Sequence, residues 1–426
     1  MPQAAPALLD ARSAAAEAGI RVRDRAVLTS LARADIVLSI HEDIPAIEPE
    51  WRAFERRADG TVFQTCEWLA TWQRHVGVRR QTKPAIVIGR DHTGQILFLM
   101  PLAVERFGFV RRLTWLGAGL CDYNAPLLAP DFSRWVSRRR FPALWDDILQ
   151  RLRSHPHLRY DYIDLRQMPE TVGAQANPML RLGVAPHSSN AHLVNLTDNW
   201  DALYARRSSA TRRHDRSKRQ KLAEYGTIDF VTATDHDQIV TTLSTLMVQK
   251  ARWFAEIGVG NIFDRPGYRA FFHEIATSPW TRHIAHVSRL EVGGLTAATN
   301  FGLMFGDCYY HVLASYDRES PTARFGPGAA LLHELLRHAI RQGSRKFDFS
   351  VGDERFKHEW CDVEVKLYDH LSAVNLRGLL FAAPLAVVGR LKRAIKQRPM
   401  LWRAFRRMRA LVGSLLFRGA LKARAR

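Results

Sequence analysis

Apolar positions in this chain fall into two rounds of the same pattern. Order begins near Asp35, where Ile36-Val37-Leu38 reads as a strand. Helical spacing follows at Pro49–Arg57 and Cys66–His75. Three strand-like runs come next: Ala85–Gly89, Ile96–Val104 and Arg112–Leu116. The first two are joined by Asp91-His92-Thr93-Gly94, a hairpin-type turn. A helix is expected at Phe141–Arg153 and a strand at Tyr160–Leu165.

The second round repeats this order. His283–Leu290 and Leu295–Met304 flank a turn at Glu291-Val292-Gly293-Gly294, and Asp307–Ser315 is a third strand. A helix over Gly328–Gln342 and a strand at Lys346–Ser350 complete it. Tyr160-Asp161-Tyr162 and Phe347-Asp348-Phe349 share an aromatic, Asp, aromatic string. The pattern predicts a duplicated α/β domain. Between the rounds, Tyr204–Lys221 reads as a helix with eight basic residues opposed only by Asp215, and a long helix follows at Asp237–Glu256. Residues 1–34 read as a weakly ordered extension.

Composition narrows the classes. The 426 residues are 46% hydrophobic and 24% charged, which excludes a disordered or fibrous chain and suits two domains. The four cysteines have no CxxC spacing, which argues against a disulfide scaffold or zinc finger and fits a reducing compartment. The net charge is +20, yet 14 basic and no acidic residues lie in Leu371–Arg426. That segment alone carries +14 and leaves +6 for all that precedes it, so any polyanionic partner belongs first to the tail. The segment Met1–Ser30 lacks an apolar secretory core. The longest apolar run, Gly378–Gly389, is too short to span a bilayer. Together these features predict a cytoplasmic protein able to touch the inner face of the membrane. In the tail, Leu401, Phe405, Met408, Val412, Leu415 and Leu416 recur at helical spacing among arginines. That is a basic amphipathic helix, suited either to an anionic membrane surface or to packing on the body.

Three segments carry candidate chemistry. Arg324-Phe325-Gly326-Pro327-Gly328-Ala329 precedes an amphipathic helix. Its glycines admit a close ligand, and free N–H groups with the helix dipole suit a phosphate that Arg324 can also contact. A plain Gly/Pro helix start is the alternative. Neither a Walker pattern nor GxGxxG is present at this turn, and His333 and His338 are five apart where a zinc helix needs four. In Phe347–Trp360, a strand ends at Gly352-Asp353-Glu354, where α/β folds place reactive groups. Asp353 or Glu354 can act as general base and Lys357 can neutralise an anion; a capped helix start explains them equally. His311, in Tyr309–Ser315, either faces substrate or sits in the core; Tyr309 shares its face and Tyr310 takes the other. The basic helix, Arg212 and Arg213 included, is either a solvated face or a phosphate contact. Tyr204 and Tyr225 only flank it, a weak signal for RNA.

The run from the Arg-rich helix through His311…Ser315-Tyr316-Asp317 and Phe325-Gly326-Pro327-Gly328 to Phe347-Asp348-Phe349-x-x-Gly352-Asp353-Glu354-x-Phe356-Lys357-x-x-Trp360 resembles the CelD-like, cellulose-biosynthesis type acetyltransferases of the GNAT superfamily. Those resemble the Fem-type peptidyl transferases in having two GNAT-like halves. The match covers Arg207–Trp360, with looser likeness at Phe63-Gln64-Thr65-x-x-Trp68-Leu69 and Asp122-Tyr123. It implies two tandem GNAT-like domains, mixed twisted sheets flanked by helices, at 35–195 and 196–374, with a basic helical tail at 375–426. It implies acyl transfer from acyl-CoA, such as acetyl-CoA, to an amine or hydroxyl, with the pyrophosphate at Arg324, Phe325, Gly326, Gly328 and Ala329. Pro327 and Ala329 depart from the usual glycine signature. The family tends to have Tyr where this chain has Phe356, so Tyr310 or a water is left as the acid for the leaving thiolate. Asp353 or Glu354 would take the acceptor proton, with His311, Lys357, Arg212 and Arg213 on the substrates and no metal required. Surface polysaccharide or envelope metabolism is the implied setting. Two other readings stay open: a Fem-type transferase using aminoacyl-tRNA, and a non-catalytic GNAT-fold scaffold of a membrane-associated complex.

Overall fold

The structure, a computed structural model, describes residues 36–352, 354–396 and 398. The expected N-terminal extension, the residue Asp353 and the helical pattern over 401–416 lie outside the described residues.

The first half runs β1 (Val37–His41), α1 (Ile44–Glu55), α2 (Cys66–Trp72), β2 (Lys83–Arg90), β3 (Ile96–Phe107), β4 (Val110–Trp115), β5 (Leu127–Leu128), α3 (Phe132–Trp135), α4 (Phe141–Ser154) and β6 (Tyr162–Pro169). Short strands β7 (Thr171–Val172), β8 (Gln175–Ala176) and β9 (Ala185–Pro186) lead to β10 (Ala191–Asn195). The second half follows with α5 (Trp200–Ala205), α6 (Ser209–Ala223), β11 (Ile228–Thr232), α7 (His236–Glu256), α8 (Tyr268–Thr277), β12 (Ala285–Val292), β13 (Leu295–Phe305), β14 (Cys308–Tyr316), α9 (Pro327–Arg341) and β15 (Lys346–Val351). The chain then adds α10 (Arg355–Trp360), β16 (Val363–Val365), β17 (Leu367–Ala373) and α11 (Leu376–Lys396).

Two mixed sheets result, each flanked by helices, so the repeat in the sequence is a repeat in the fold. Their orders are β1-β2-β3-β4-β6-β17-β9, with β5 on β3, and β11-β12-β13-β14-β15-β10-β16. In both, antiparallel hairpins lead to one parallel pair, β4 with β6 and β14 with β15. The last strands are exchanged. β10, which follows the first half, pairs with β15, and β17, which follows the second, pairs with β6.

Two helices differ from the sequence pattern. α1 begins at Ile44 and carries Pro49 within it. The missing N–H is tolerated because the helix buries Ile44, Ile47, Trp51 and Phe54. The Tyr204–Lys221 pattern is split at Arg206–Ser208, where the Ser208 hydroxyl accepts from the Thr211 N–H and starts α6 afresh.

The halves share a core. Trp68 of α2 meets Phe271 of α8 edge to face at 4.7 Å, and both are fully buried with Trp51, Trp72 and Phe301. Burying each such side chain is worth about 2–3 kcal/mol, which holds the sheets against one another.

Candidate functional site

β14 and β15 pair only from Cys308–Tyr310 to Lys346–Asp348. Beyond that the strands part, and a cavity of about 560 Å³ opens between them, roofed by the start of α9. At the same point the register of β14 on β13 slips across His311, Val312 and Leu313. Such an irregularity re-aims side chains, and His311 and Val312 both line the cavity.

Lys357 anchors the floor. Its Nζ donates to the Ser350 carbonyl (3.3 Å) and the Val351 carbonyl (3.0 Å) and pairs with Glu354 Oε2 at 2.9 Å. Gly352 makes this possible. Its φ is +144°, and a Cβ there would collide with the Glu354 carboxylate and lie 2.9 Å from Lys357 Nζ. Ser350 also has a left-handed backbone, φ +63°, held by its N–H donating to Asp348 Oδ1 at 2.6 Å. Strain of this kind is typical of a site whose geometry is over-determined.

Three further ionisable groups face the cavity: Asp122, Lys250 and His311. They are half-buried, because what is accessible of them opens into the cavity and protein surrounds the rest. Burial pushes the Asp122 carboxyl up to about 6, against the pull of the Ser350 hydroxyl and Lys357. Burial lowers Lys250 to about 8, with Glu354 opposing and Lys357 reinforcing the shift. His311 falls to about 3 through burial and then the two lysines, so it is neutral at physiological pH. Lys250 lies 4.5 Å over the Trp253 ring. Behind them, Tyr123 donates its hydroxyl to Asp348 Oδ2 at 2.8 Å, and burial raises Asp348 to about 7. Asp122 and Tyr123 come from the first half, so both halves build this cavity.

The start of α9 meets a second, smaller pocket that shares Asp215, Gly326, Ala329 and His333 with the cavity. Gly326 caps the helix with φ +71°, and Gly328 follows Pro327 at its first turn. The N–H groups of Ala329 and Ala330 both donate to the Gly326 carbonyl. Only the Gly328 N–H is left without a backbone acceptor among the described residues, fewer donors than a free helix start offers. The basic helix adds a cation instead: Lys218 Nζ would lie 3.7 Å from a Cβ built on Gly326. Arg216 and Arg219 line the same pocket. The residues present therefore fit a phosphate group at this helix start.

The site residues read from the sequence are distributed unevenly. Gly326, Gly328, Ala329, His311, Glu354 and Lys357 converge on the cavity. Phe325 lines the smaller pocket and meets the Tyr225 ring at 5.8 Å, tilted by 46°. Arg324 sits over Phe325 at 4.8 Å and reaches the Tyr225 hydroxyl at 3.3 Å, outside the cavity wall. Arg212 and Arg213 are on α6 but line neither space; Arg207, 4.5 Å over Trp360, lines the cavity instead. Tyr310 faces away from it, buried 5.8 Å from Phe63 and near the Val62 backbone, with its hydroxyl pushed well above the usual tyrosine range. Sequence reasoning gave no role to Lys250 or Asp122. Asp122 had one signal, its place beside Tyr123 in the looser likeness of the first half. Apart from all these, Glu42, His155 and His157 bring potential metal-ligating atoms within 4.8 Å of one another.

Comparison with known proteins fits this geometry. Residues 209–358 match the family described as "Acetyltransferase (GNAT) domain". That span contains the basic helix, both diverging strands and α9. The whole fold is similar to that of FemX, with a TM-score of 0.56 at 12% identity over 82% of this chain and 99% of that one. It is also similar to a conserved protein of unknown function from Bacteroides thetaiotaomicron VPI-5482, with a TM-score of 0.50 at 13% identity over 79% and 99%. A tandem GNAT protein from the clavulanic acid biosynthesis pathway aligns with a TM-score of 0.41 at 12% identity over 80% and 100%. Comparison with curated protein sequences finds no match. The chain is thus a mixed α/β protein with two helix-flanked sheets and a fold similar to that of FemX, and residues 209–358 match a GNAT acetyltransferase domain.

Proposed function

We infer that the chain transfers an acyl group from acyl-CoA directly to an amine or hydroxyl acceptor. The observation that carries this reading is the cavity between the parted strands, lined both by a phosphate-compatible helix start and by a raised carboxyl, Asp122. The resemblance to CelD-like acetyltransferases points to surface polysaccharide or envelope metabolism as the setting.

Acyl-CoA brings an activated thioester. The chain's part is to hold it, orient the acceptor and move protons. Lys218 and the Gly328 N–H receive the pyrophosphate. The unpaired edge of β14 beyond Tyr310 offers backbone N–H groups to the thioester carbonyl as charge develops on its oxygen. Asp122 takes the proton from the attacking amine or hydroxyl, and its pKa near 6 leaves it ionised at neutral pH yet basic enough to serve. A bond forms from the acceptor to the carbonyl carbon, the carbon–sulfur bond breaks, and the sulfur leaves with the electron pair. Lys250 and Lys357 offset the thiolate charge. Glu354 is engaged with Lys357, so its role here is to position that lysine.

Calorimetry with acetyl-CoA tests the reading, beside Gly328→Trp. Gly328 faces the Tyr316 ring, which a Cβ there would meet at 3.3 Å, and the indole would fill the cavity. Binding by the native chain that the variant loses supports the assignment; no binding of any acyl-CoA by the native chain overturns it. One observation favours a second reading, transfer from an aminoacyl-tRNA: α6 sets Arg216, Lys218 and Arg219 along one wall of the smaller pocket. Salt-dependent binding of aminoacyl-tRNA, with no acyl-CoA binding, would select it.

A further inference from the structure

α11 breaks the usual rule that a surface helix is apolar only on its packed side. Its inner face is built for close approach. Gly378 lies against the Asp161 carbonyl and the Tyr162 Cβ, where a Cβ of its own would clash, and Ala382 is buried with Val110 and Tyr162. Its outer face is apolar as well. Leu376, Leu380, Val387 and Leu391 follow at spacings of four, seven and four residues, which places them on one stripe. All four are well over half exposed, from 59% to 73%. Beside the helix, at the tip of the β3–β4 hairpin, Phe109 is 67% exposed and its ring meets the half-buried Phe381 on the flank of α11 at 5.6 Å.

The charge carried by α11 itself has one sign: its charged residues are Arg377, Arg390, Lys392, Arg393 and Lys396. From Leu371 to Arg426 the chain holds 14 basic and no acidic residues. Among the described residues no helix is long and apolar enough to cross a membrane. A helix with an apolar outer stripe, cationic surroundings and an aromatic beside it is suited to lie in the plane of an anionic bilayer. A second protein would need a complementary acidic and apolar face; a bilayer of anionic lipid supplies both properties at once.

We propose that the outer face of α11, with the Phe109 hairpin tip, docks the protein on an anionic lipid surface. The apolar stripe enters the headgroup region, and the basic residues of α11 contact lipid phosphates. The surface lies on the first sheet, so docking leaves the cavity of the second half free to bind its substrates.

The test uses the full chain and sedimentation with vesicles of phosphatidylglycerol and phosphatidylcholine, or of phosphatidylcholine alone. The native protein is expected to partition to anionic vesicles at least ten-fold better, and less well at 0.5 M salt. Val387→Glu/Leu391→Glu alters only exposed positions, and circular dichroism checks that it folds. That variant, and separately Phe109→Ser, should lose ten-fold or more of the binding. Equal binding to both vesicle types, or binding unchanged in the glutamate variant, overturns the proposal. Two other occupants would also overturn it. A dimer in sedimentation equilibrium that the glutamate variant abolishes, without vesicle binding, assigns the stripe to a second copy. Protection of Leu391→Cys from a water-soluble maleimide in the absence of vesicles assigns it to the chain's own residues 397–426.

Discussion

Replacing Asp348 by Asn should remove a pH dependence that its burial imposes on the whole protein. The carboxyl is 4% exposed, and it titrates near 7 in the folded chain against an ordinary 3.8. The folded state therefore keeps a proton that the unfolded state has already lost between those two values. Stability contributed by that proton is complete below about pH 4 and is lost as pH rises through 7. At about 1.4 kcal/mol per pH unit, the loss amounts to about 4 kcal/mol above pH 7, of which about 3 kcal/mol falls between pH 5 and pH 8. Asn retains an acceptor for the Ser350 N–H and cannot ionise. Urea unfolding at the two pH values measures the effect. With a slope of roughly 2–3 kcal/mol per molar, the native midpoint should fall by about 1 M more than that of Asp348→Asn. Parallel midpoints would show that Asp348 is ionised throughout, and the reasoning about its burial would fail.

The other predictions concern the cavity. Asp122→Asn should lower turnover by roughly 10²–10⁴-fold and abolish the acid limb near pH 6 in the kcat/KM profile, with acyl-CoA affinity kept. Lys250→Met should raise the unfolding free energy at pH 7 by about 3 kcal/mol, because a cation held near pKa 8 opposes folding below that pH; the native protein alone should gain stability from pH 8 to 10.5. Gly352→Ala should cost at least ten-fold in kcat/KM while melting within a few degrees of the native protein, since the added methyl displaces the Lys357–Glu354 pair. An unchanged rate would separate that pair from the chemistry.

Both rounds of strands were legible because hairpin turns and period-two alternation are local. Asp91 holds its turn alone, accepting from the N–H groups of Thr93 and Gln95. Gly326 and Gly328 were legible for the same reason. The exchanged strands were not. β10 and β17 are short, and nothing local says that each belongs to the distant sheet. Asp122 and Lys250 stayed hidden because they come from opposite halves of the chain and acquire meaning only where those halves meet. Arg212 and Arg213 show the limit of a run of charge: it marks a helix, but the turn of that helix decides which cations line the smaller pocket, and those are Arg216, Lys218 and Arg219.

The strand exchange bears on how the protein is made. A ribosome delivers β6 by residue 169, but its sheet partner β17 begins at residue 367. Throughout synthesis of the second half the nascent first sheet presents an open edge, and its missing strand has not yet been translated. The second sheet has the opposite history, because β10 waits ahead of the strands it will join. Neither half can be completed as a stand-alone module, so a stop codon anywhere before residue 367 should yield a product that chaperones retain rather than a folded half.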